Sequence, residues 1–186
     1  MEEFVSRGGE KLKAALVDFR IDVKGKDCAD FGASTGGFTD CLLQRGARRV
    51  YSVDTAYGEF SWKLRNDPRV VVMERTNAMH VTLPEKVDLI AVDTGWTKQE
   101  KVIPNALANL KDDGIIVSLI KPHYEAGKNF GGKGLDEGEI EGVLDGVKDD
   151  IEKAGGGVVD MIESPIRGGR SGNREFLACV RRKSLI

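Results

Sequence analysis

The sequence has few cysteines: Cys28, Cys41 and Cys179 among 186 residues. Their number is odd, their spacing is wide, and no C-x-x-C pair occurs. Neither a disulfide framework nor a cysteine-based zinc site is indicated. All three read as small buried residues in a reducing compartment. The two histidines, His80 and His123, lack partners at metal-ligand spacing, so no metal is expected. No apolar run approaches the ~20 residues of a membrane helix. The first residues, Met-Glu-Glu-Phe-Val-Ser-Arg-Gly-Gly, lack the basic-then-apolar profile of a signal peptide. A cytoplasmic protein without membrane contact is expected. No internal repeat or low-complexity tract is found. The formal net charge is −2, so the total does not imply a strongly basic nucleic-acid binder.

What is present fits one soluble domain with a full core, residues 1–186. Hydrophobic residues make up 40% and charged residues 31%, an ordinary globular balance. Leu12, Ala15, Leu16 and Phe19 follow helical spacing and predict a helix over 9–20, within an N-terminal helical segment 1–24. Strands are expected at 28–31, 50–53, 69–73, 87–92, 115–120, 158–162 and 175–180. Helices are expected over 37–45, around Ile103–Leu110, and along Ile140–Ile151. Residues 122–135, rich in Gly and Lys, read as a mobile loop. Strands that alternate with helices and are themselves continuous apolar runs predict an α/β fold with a mostly parallel sheet covered on both faces. Ligands of such sheets bind beyond the carboxyl ends of the strands, at the topological switch point. Attention therefore falls on Gly32 onward, Asp54, Asn77, Asp93 and Lys121.

The segment Asp30-Phe-Gly-Ala-Ser-Thr-Gly-Gly-Phe follows the first strand and opens a helix. Gly32, Gly36 and Gly37 let the backbone turn sharply and approach a ligand. The spacing is not G-x-G-x-x-G and no Lys-Ser/Thr follows, which argues against a dinucleotide fingerprint and a P-loop. The turn alone fits either a cofactor cradle or a plain strand-to-helix connection. Asp54 ends the second strand about 20 residues on, where a carboxylate can accept hydrogen bonds from both ribose hydroxyls of a nucleoside. It could equally be a cap or turn residue. Asn77 occupies the place of an adenine-contacting residue, or forms a turn.

These residues belong to longer motifs. Val5-Ser-Arg-Gly-Gly-Glu-Lys, Asp30-Phe-Gly-Ala-Ser-Thr-Gly-Gly-Phe-Thr-Asp-Cys-Leu, Trp62-Lys-Leu-Arg-Asn-Asp-Pro-Arg-Val, Glu74-Arg-Thr-Asn-Ala, Ile120-Lys-Pro and Glu175-Phe occur in that order. Together they resemble the hemolysin A / TlyA-type ribosomal RNA methyltransferases, within the wider FtsJ-like (RrmJ) 2′-O-methyltransferase group. The resemblance runs from Phe4 to Arg181. It implies a Rossmann-like fold, S-adenosylmethionine as methyl donor with S-adenosylhomocysteine as product, and ribose 2′-hydroxyls of ribosomal RNA as acceptor. It implies a Lys-Asp-Lys-Glu tetrad, here Lys11, Asp93, Lys121 and Glu175. Helical periodicity alone does not separate Lys11 from Lys13. The cofactor residues implied are Asp30, Gly32, Ala33, Ser34, Gly36, Gly37, Phe38, Asp54, Asn77, Ala78 and Asp93.

Three departures from the family pattern stand out. Family members usually carry a small S4 RNA-binding domain before the Val-Ser-Arg-Gly segment. This sequence begins close to that segment, so the S4 domain is expected to be absent or removed. After Asp93 the usual Val-Ser-Phe-Ile-Ser is replaced by Thr94-Gly-Trp-Thr-Lys. The usual Lys-Pro-Gln-Phe-Glu becomes Lys121-Pro-His-Tyr-Glu. His123 and Tyr124 are candidates for the acceptor site. Trp96 either stacks on a base or packs beneath a loop, and Trp62 reads as structural.

A ribose hydroxyl is a poor nucleophile until its proton is removed. Lys121 suits a general base, with Asp93 and Glu175 orienting the lysine amines. Basic residues gather in two loops expected beside the site. Lys128 and Lys133 lie in 122–135, and Arg167, Arg170 and Arg174 in 165–174, with Arg7 and Lys11 nearby. Such a rim can hold RNA phosphates despite the acidic total. Two other readings stay open: a methyltransferase with another acceptor, and a non-catalytic module binding the cofactor or RNA. A pore-forming haemolysin is disfavoured, since the sequence has neither an amphipathic pore helix nor a hydrophobic hairpin.

Overall fold

A computed structural model describes residues 3–127, 134–169 and 172–186. The elements are α1 (Gly8–Asp18), β1 (Asp27–Phe31), α2 (Gly37–Gln44), β2 (Arg49–Val53), α3 (Trp62–Arg65), β3 (Val70–Met73), β4 (Val87–Val92), α4 (Gln99–Asn109), β5 (Leu110–Ile120), α5 (Pro122–Glu125), α6 (Glu137–Lys153), β6 (Gly156–Glu163) and β7 (Phe176–Arg182). Seven strands form one sheet in the order β3-β2-β1-β4-β5-β7-β6. Neighbours from β3 to β5 are parallel, and β7 runs antiparallel between β5 and β6. This is the expected mostly parallel, Rossmann-like α/β architecture.

Side-chain alternation along the strands sorts the core into two layers, because successive residues point to opposite faces. Ala29, Phe31, Ile90, Val92, Ile116 and Ile120 face α4 and α6, which supply Val102, Ile103, Ala106, Ile140, Val147 and Ile151. Cys28, Val50, Leu89, Ala91, Val117 and Leu119 face α1 and α2, which supply Leu12, Ala15, Leu16, Phe38, Cys41 and Leu42. The three cysteines are buried. Among the described residues no helix is long and apolar enough to cross a membrane.

Several boundaries shift from the sequence expectation, and two of them change an element near the site. β5 begins at Leu110, not 115. Leu110 is extended and fully buried, and the ladder to β4 shifts register between Val87 and Leu89. Residues 122–125, expected in a loop, form the short α5, with Pro122 at its first position, where a missing N–H costs nothing. The lysine-bearing part of that loop, 128–133, lies outside the described residues.

α1 is held against α2 by polar contacts as well as by the core. Val5 N–H donates to the buried Asp40 carboxylate at 2.9 Å. A Cβ on Gly37 would meet Ser6 Oγ at 2.2 Å and the Gly9 nitrogen at 3.0 Å. The first turns of the two helices therefore touch backbone to backbone. That close approach aims α1, and Lys11 with it, at the carboxyl ends of the strands.

Candidate active site

The chain reverses direction across the sheet between β1 and β4, whose ends pair Phe31 with Val92. The next residues, Gly32 and Asp93, meet at that switch point. Gly32 has φ +94°, and a Cβ there would lie 2.4 Å from the Asp93 carbonyl oxygen. Only glycine satisfies both the left-handed backbone and the contact. The turn that follows borders a cavity of about 290 Å³ lined by Gly32–Thr35, Gly37, Phe38, Ser6–Gly8, Lys11, Asp93 and Gly169. Gly169 belongs to a loop that sequence reasoning assigned to RNA contact alone.

Asp30 lies beneath this turn, fully buried. Its Oδ2 accepts from the Thr39 N–H and hydroxyl at 2.9 and 2.8 Å, while Oδ1 has no hydrogen-bond partner. Burial pushes its carboxyl up to about 7, opposed by the Thr39 hydroxyl bond and assisted by the charge of Asp93. An unfolded aspartate titrates near 3.9. A raised folded value means that Asp30 contributes stability below about pH 4, and that this contribution is lost as pH rises through 7. The loss is at most on the order of 4 kcal/mol. Asp30→Asn keeps an acceptor for Thr39 and cannot ionise. Urea denaturation from pH 4 to 7 is expected to show the variant gaining steadily on the parent; a constant difference across that range would contradict the assignment.

Asp54 stands just past β2. Its Oδ2 accepts from Ser34 N–H and its Oδ1 from Ala56 N–H, both at 2.7 Å. The carboxylate thus ties the glycine turn to the neighbouring strand end and keeps lone pairs for a further donor. Asn77 is exposed, and its Oδ1 accepts from Met79 N–H at 2.9 Å, the turn-forming geometry weighed above. Ala78 is buried in the core, and its carbonyl accepts from Asn105. It therefore offers little surface to a cofactor.

The four tetrad positions form two ion pairs. Lys121 Nζ donates to Asp93 Oδ1 at 2.5 Å and approaches the Thr94 carbonyl at 3.5 Å. Lys11 Nζ donates to Glu175 Oε2 at 2.5 Å. Lys11 and Glu175 are 12% and 4% exposed, and Lys121 is 15% exposed. The two pairs belong to one site. Ile120 pairs with Phe176 across the sheet, so Lys121 and Glu175 leave adjacent strand ends. Both Lys11 and Asp93 line the cavity. Of the two helix lysines, Lys11 reaches Glu175, whereas Lys13 lies 3.9 Å from Glu10 and over the Phe4 ring.

Aromatic residues rim the Lys121 side. The rings of Trp96 and Tyr124 are 4.6 Å apart and tilted by 32°, and those of His123 and Tyr124 are 4.2 Å apart. Lys121 Nζ lies 5.7 Å from the Tyr124 ring centre. Trp96 is 84% exposed, at φ +60°, so it does not pack beneath a loop. Trp62, read as structural, is 75% exposed at the start of α3. Burial holds His123 below the usual imidazole range, against the pull of Glu175 and with the help of Lys121.

Part of the expected basic rim is neutralised. Arg174 donates to Glu163 through two nitrogens and to Glu137 through a third. Arg167 donates to the Gly172 carbonyl. It lines a second cavity of about 230 Å³ together with His123, Asn173 and Arg174 over a floor of Leu135 and Ile140. Lys128, Lys133 and Arg170 lie outside the described residues. Sequence reasoning missed Gln99, Ser118 and Glu125, which link the loops around Lys121. A polar residue opening a helix and a serine inside an apolar strand were the available signals.

A glycine turn at the switch point of a parallel sheet, with a carboxylate on the next strand end, defines a nucleoside-binding Rossmann-like protein. The family is narrower. The FtsJ-like methyltransferase model matches residues 4–182, and the chain belongs to that family. It is 49% identical over 135 residues to the 16S/23S rRNA (cytidine-2′-O)-methyltransferase TlyA of Mycobacterium tuberculosis, covering 70% of this chain and 50% of that protein. It is 40% identical over 183 residues to Hemolysin A of Brachyspira hyodysenteriae, covering 95% and 76%. A solved structure from Streptococcus thermophilus, described as a candidate hemolysin, superimposes with a TM-score of 0.90 at 36% identity, over 98% of this chain and 68% of that one. The chain spans about half the length of the TlyA relative. S-adenosylmethionine is the cofactor that belongs to this family and fold. The site suits it, since the small residues Gly32–Ser34 of the glycine turn, with Phe38, Lys11 and Asp93, line one cavity of about 290 Å³.

Proposed function

We propose that this chain is an S-adenosylmethionine-dependent 2′-O-ribose methyltransferase acting on ribosomal RNA. The observation that carries the reading is the placement of two lysine–carboxylate pairs at one cavity over the glycine turn. The name of the TlyA relative supports the acceptor. Residues 1–186 act as one unit, with segment 1–24 supplying Lys11.

Asp30, Gly32, Ala33, Ser34, Gly36, Gly37 and Phe38 form the cofactor cradle, with Asp54 for the ribose and Asn77 at the adenine end. When bound, the cofactor supplies a methyl group on a sulfonium. Lys121, in its neutral amine form, would take the proton of the ribose hydroxyl. Asp93 aims the lysine amine by accepting its hydrogen bond. Glu175 anchors Lys11 at the cavity mouth, where its ammonium can hold an acceptor oxygen. The work is mainly positioning.

Exposed Trp96 and half-buried Tyr124 offer an aromatic face to an unstacked base, the usual mode of single-stranded RNA recognition. The cavity beside His123 and Arg167 combines an apolar floor with a guanidinium and an amide, which suits a nucleotide next to the acceptor. The loops 122–135 and 165–174 are the proposed RNA rim. Such a substrate implies a cytoplasmic location.

The test is methylation of purified ribosomal subunits with labelled cofactor, followed by nucleoside mapping. Label on a ribose 2′-oxygen is expected; label on a base would overturn the reading.

A further inference from the structure

Both loops that carry the Lys121–Asp93 pair are fastened to one residue, Gln99. The loop after Asp93 runs through Trp96 and enters α4 at Gln99. The loop after Lys121 runs through Tyr124 and ends α5 at Glu125. Gln99 is buried. Its Oε1 accepts from the Ser118 hydroxyl at 2.6 Å, and its Nε2 donates to the Leu119 carbonyl at 3.3 Å. Its backbone N–H donates to Glu125 Oε1 at 3.0 Å. One residue thus grips the chain on both sides of Lys121, at 118–119 and at 125, while itself lying six residues after Asp93.

We infer that Gln99 and Glu125 are positioning residues whose clasp fixes the two loops relative to each other, and so sets the Lys121–Asp93 pair and the Trp96–Tyr124 platform that receive the acceptor. The inference rests on the proposed methyl-transfer reading for its effect on rate, though not for its effect on structure. Neither residue lines the cofactor cavity, so the clasp separates acceptor geometry from cofactor binding. Trp96 needs such support. Its left-handed backbone is costly for a bulky side chain and persists only where surroundings impose it.

The clasp needs an acceptor oxygen at Glu125, not a charge. Burial pushes this carboxyl up to about 7, opposed by the Gln99 N–H and Lys98 and assisted by Asp150 and Glu100. Glu125→Gln keeps the oxygen and removes the buried charge. Glu125→Ala removes both, and Glu125→Asp withdraws the oxygen by one methylene.

The experiment uses the full chain with Trp62→Phe, which leaves Trp96 as the sole tryptophan. Trp96 emission wavelength and anisotropy are read without ligand. Cofactor affinity is read by calorimetry, and kcat and KM on ribosomal subunits are read separately. Glu125→Ala and Glu125→Asp are expected to lower Trp96 emission anisotropy and to lower kcat by about ten- to a hundred-fold, the scale of a misplacement near 1 Å. Cofactor affinity should stay within about twofold. Glu125→Gln should restore both parental readings. If Glu125→Ala fails to fold, Glu125→Asp carries the comparison. Parental anisotropy in the Asp or Ala variant would overturn the clasp, as would a Gln variant that behaves like Ala. If the parent methylates nothing, the fluorescence still decides the clasp, and only the proposed reaction fails.

Discussion

Lys121→Ala is expected to lower the rate of methyl transfer by about 10²- to 10⁴-fold, the usual contribution of a positioned base. The side chain stands at the end of β5 with its amine 2.5 Å from Asp93 Oδ1. No other amine is bonded to that carboxylate among the described residues, because Lys11 is committed to Glu175. Affinity for S-adenosylmethionine should change little, since the cavity is lined by Lys11 and Asp93 and not by Lys121. Lys121→Arg sharpens the result. A guanidinium can replace the ion pair to Asp93 but cannot accept a proton at neutral pH. If Arg restores most of the rate, Lys121 acts through charge alone and the base assignment is wrong. Single-turnover rates with saturating cofactor, beside calorimetry of cofactor binding, separate these outcomes.

Gly32→Ala is expected to cost stability and cofactor binding together. The new Cβ would sit 2.4 Å from the Asp93 carbonyl oxygen, 2.8 Å from its carbon and 3.1 Å from Thr94 Cα. These are backbone atoms of the adjacent strand end and cannot rotate away as a side chain would. The left-handed φ adds roughly 1–2 kcal/mol for an L side chain. Together the penalty should reach about 3 kcal/mol or more. For a domain of this size that lowers Tm by about 10 °C. Relief requires β1 and β4 to part at the switch point, which moves the glycine turn and Asp93 at once. Cofactor affinity should therefore fall by at least tenfold even in the folded fraction. Thermal melts with and without S-adenosylhomocysteine give both numbers. A variant with parental Tm and parental ligand shift would show that the strand ends do not hold the cradle.

Much of the architecture was legible because it depends on local signals. Continuous apolar runs marked each strand of the sheet, and Leu12, Ala15 and Leu16 marked the buried face of α1. The site residues clustered after strand ends, as the geometry of an open α/β sheet requires. Errors arose where a contact distant in sequence overrode a local signal. The strand expected at 115–120 starts at Leu110 instead, where pairing with Val87 and burial extend it back through 111–114. Arg174 looked like a free cation, yet Glu137 and Glu163 approach it from other elements. Gln99 and Glu125 gave no periodic signal, since a clasp between two loop ends has no sequence spacing of its own.

The residues by themselves determined the α/β class and the glycine turn after the first strand, and the resemblance of their motifs to a family implied the two lysines and two carboxylates. Periodicity and turn chemistry act over a few neighbours and can be read along the chain. Tertiary structure alone decided which lysine meets which carboxylate, which face of α1 turns inward, and whether Trp96 lies in solvent. Those outcomes follow from how β7 inserts between β5 and β6 and how α1 packs on α2. Partners there lie up to 164 residues apart, and their distance is set by packing of the whole core, to which no short window of sequence has access.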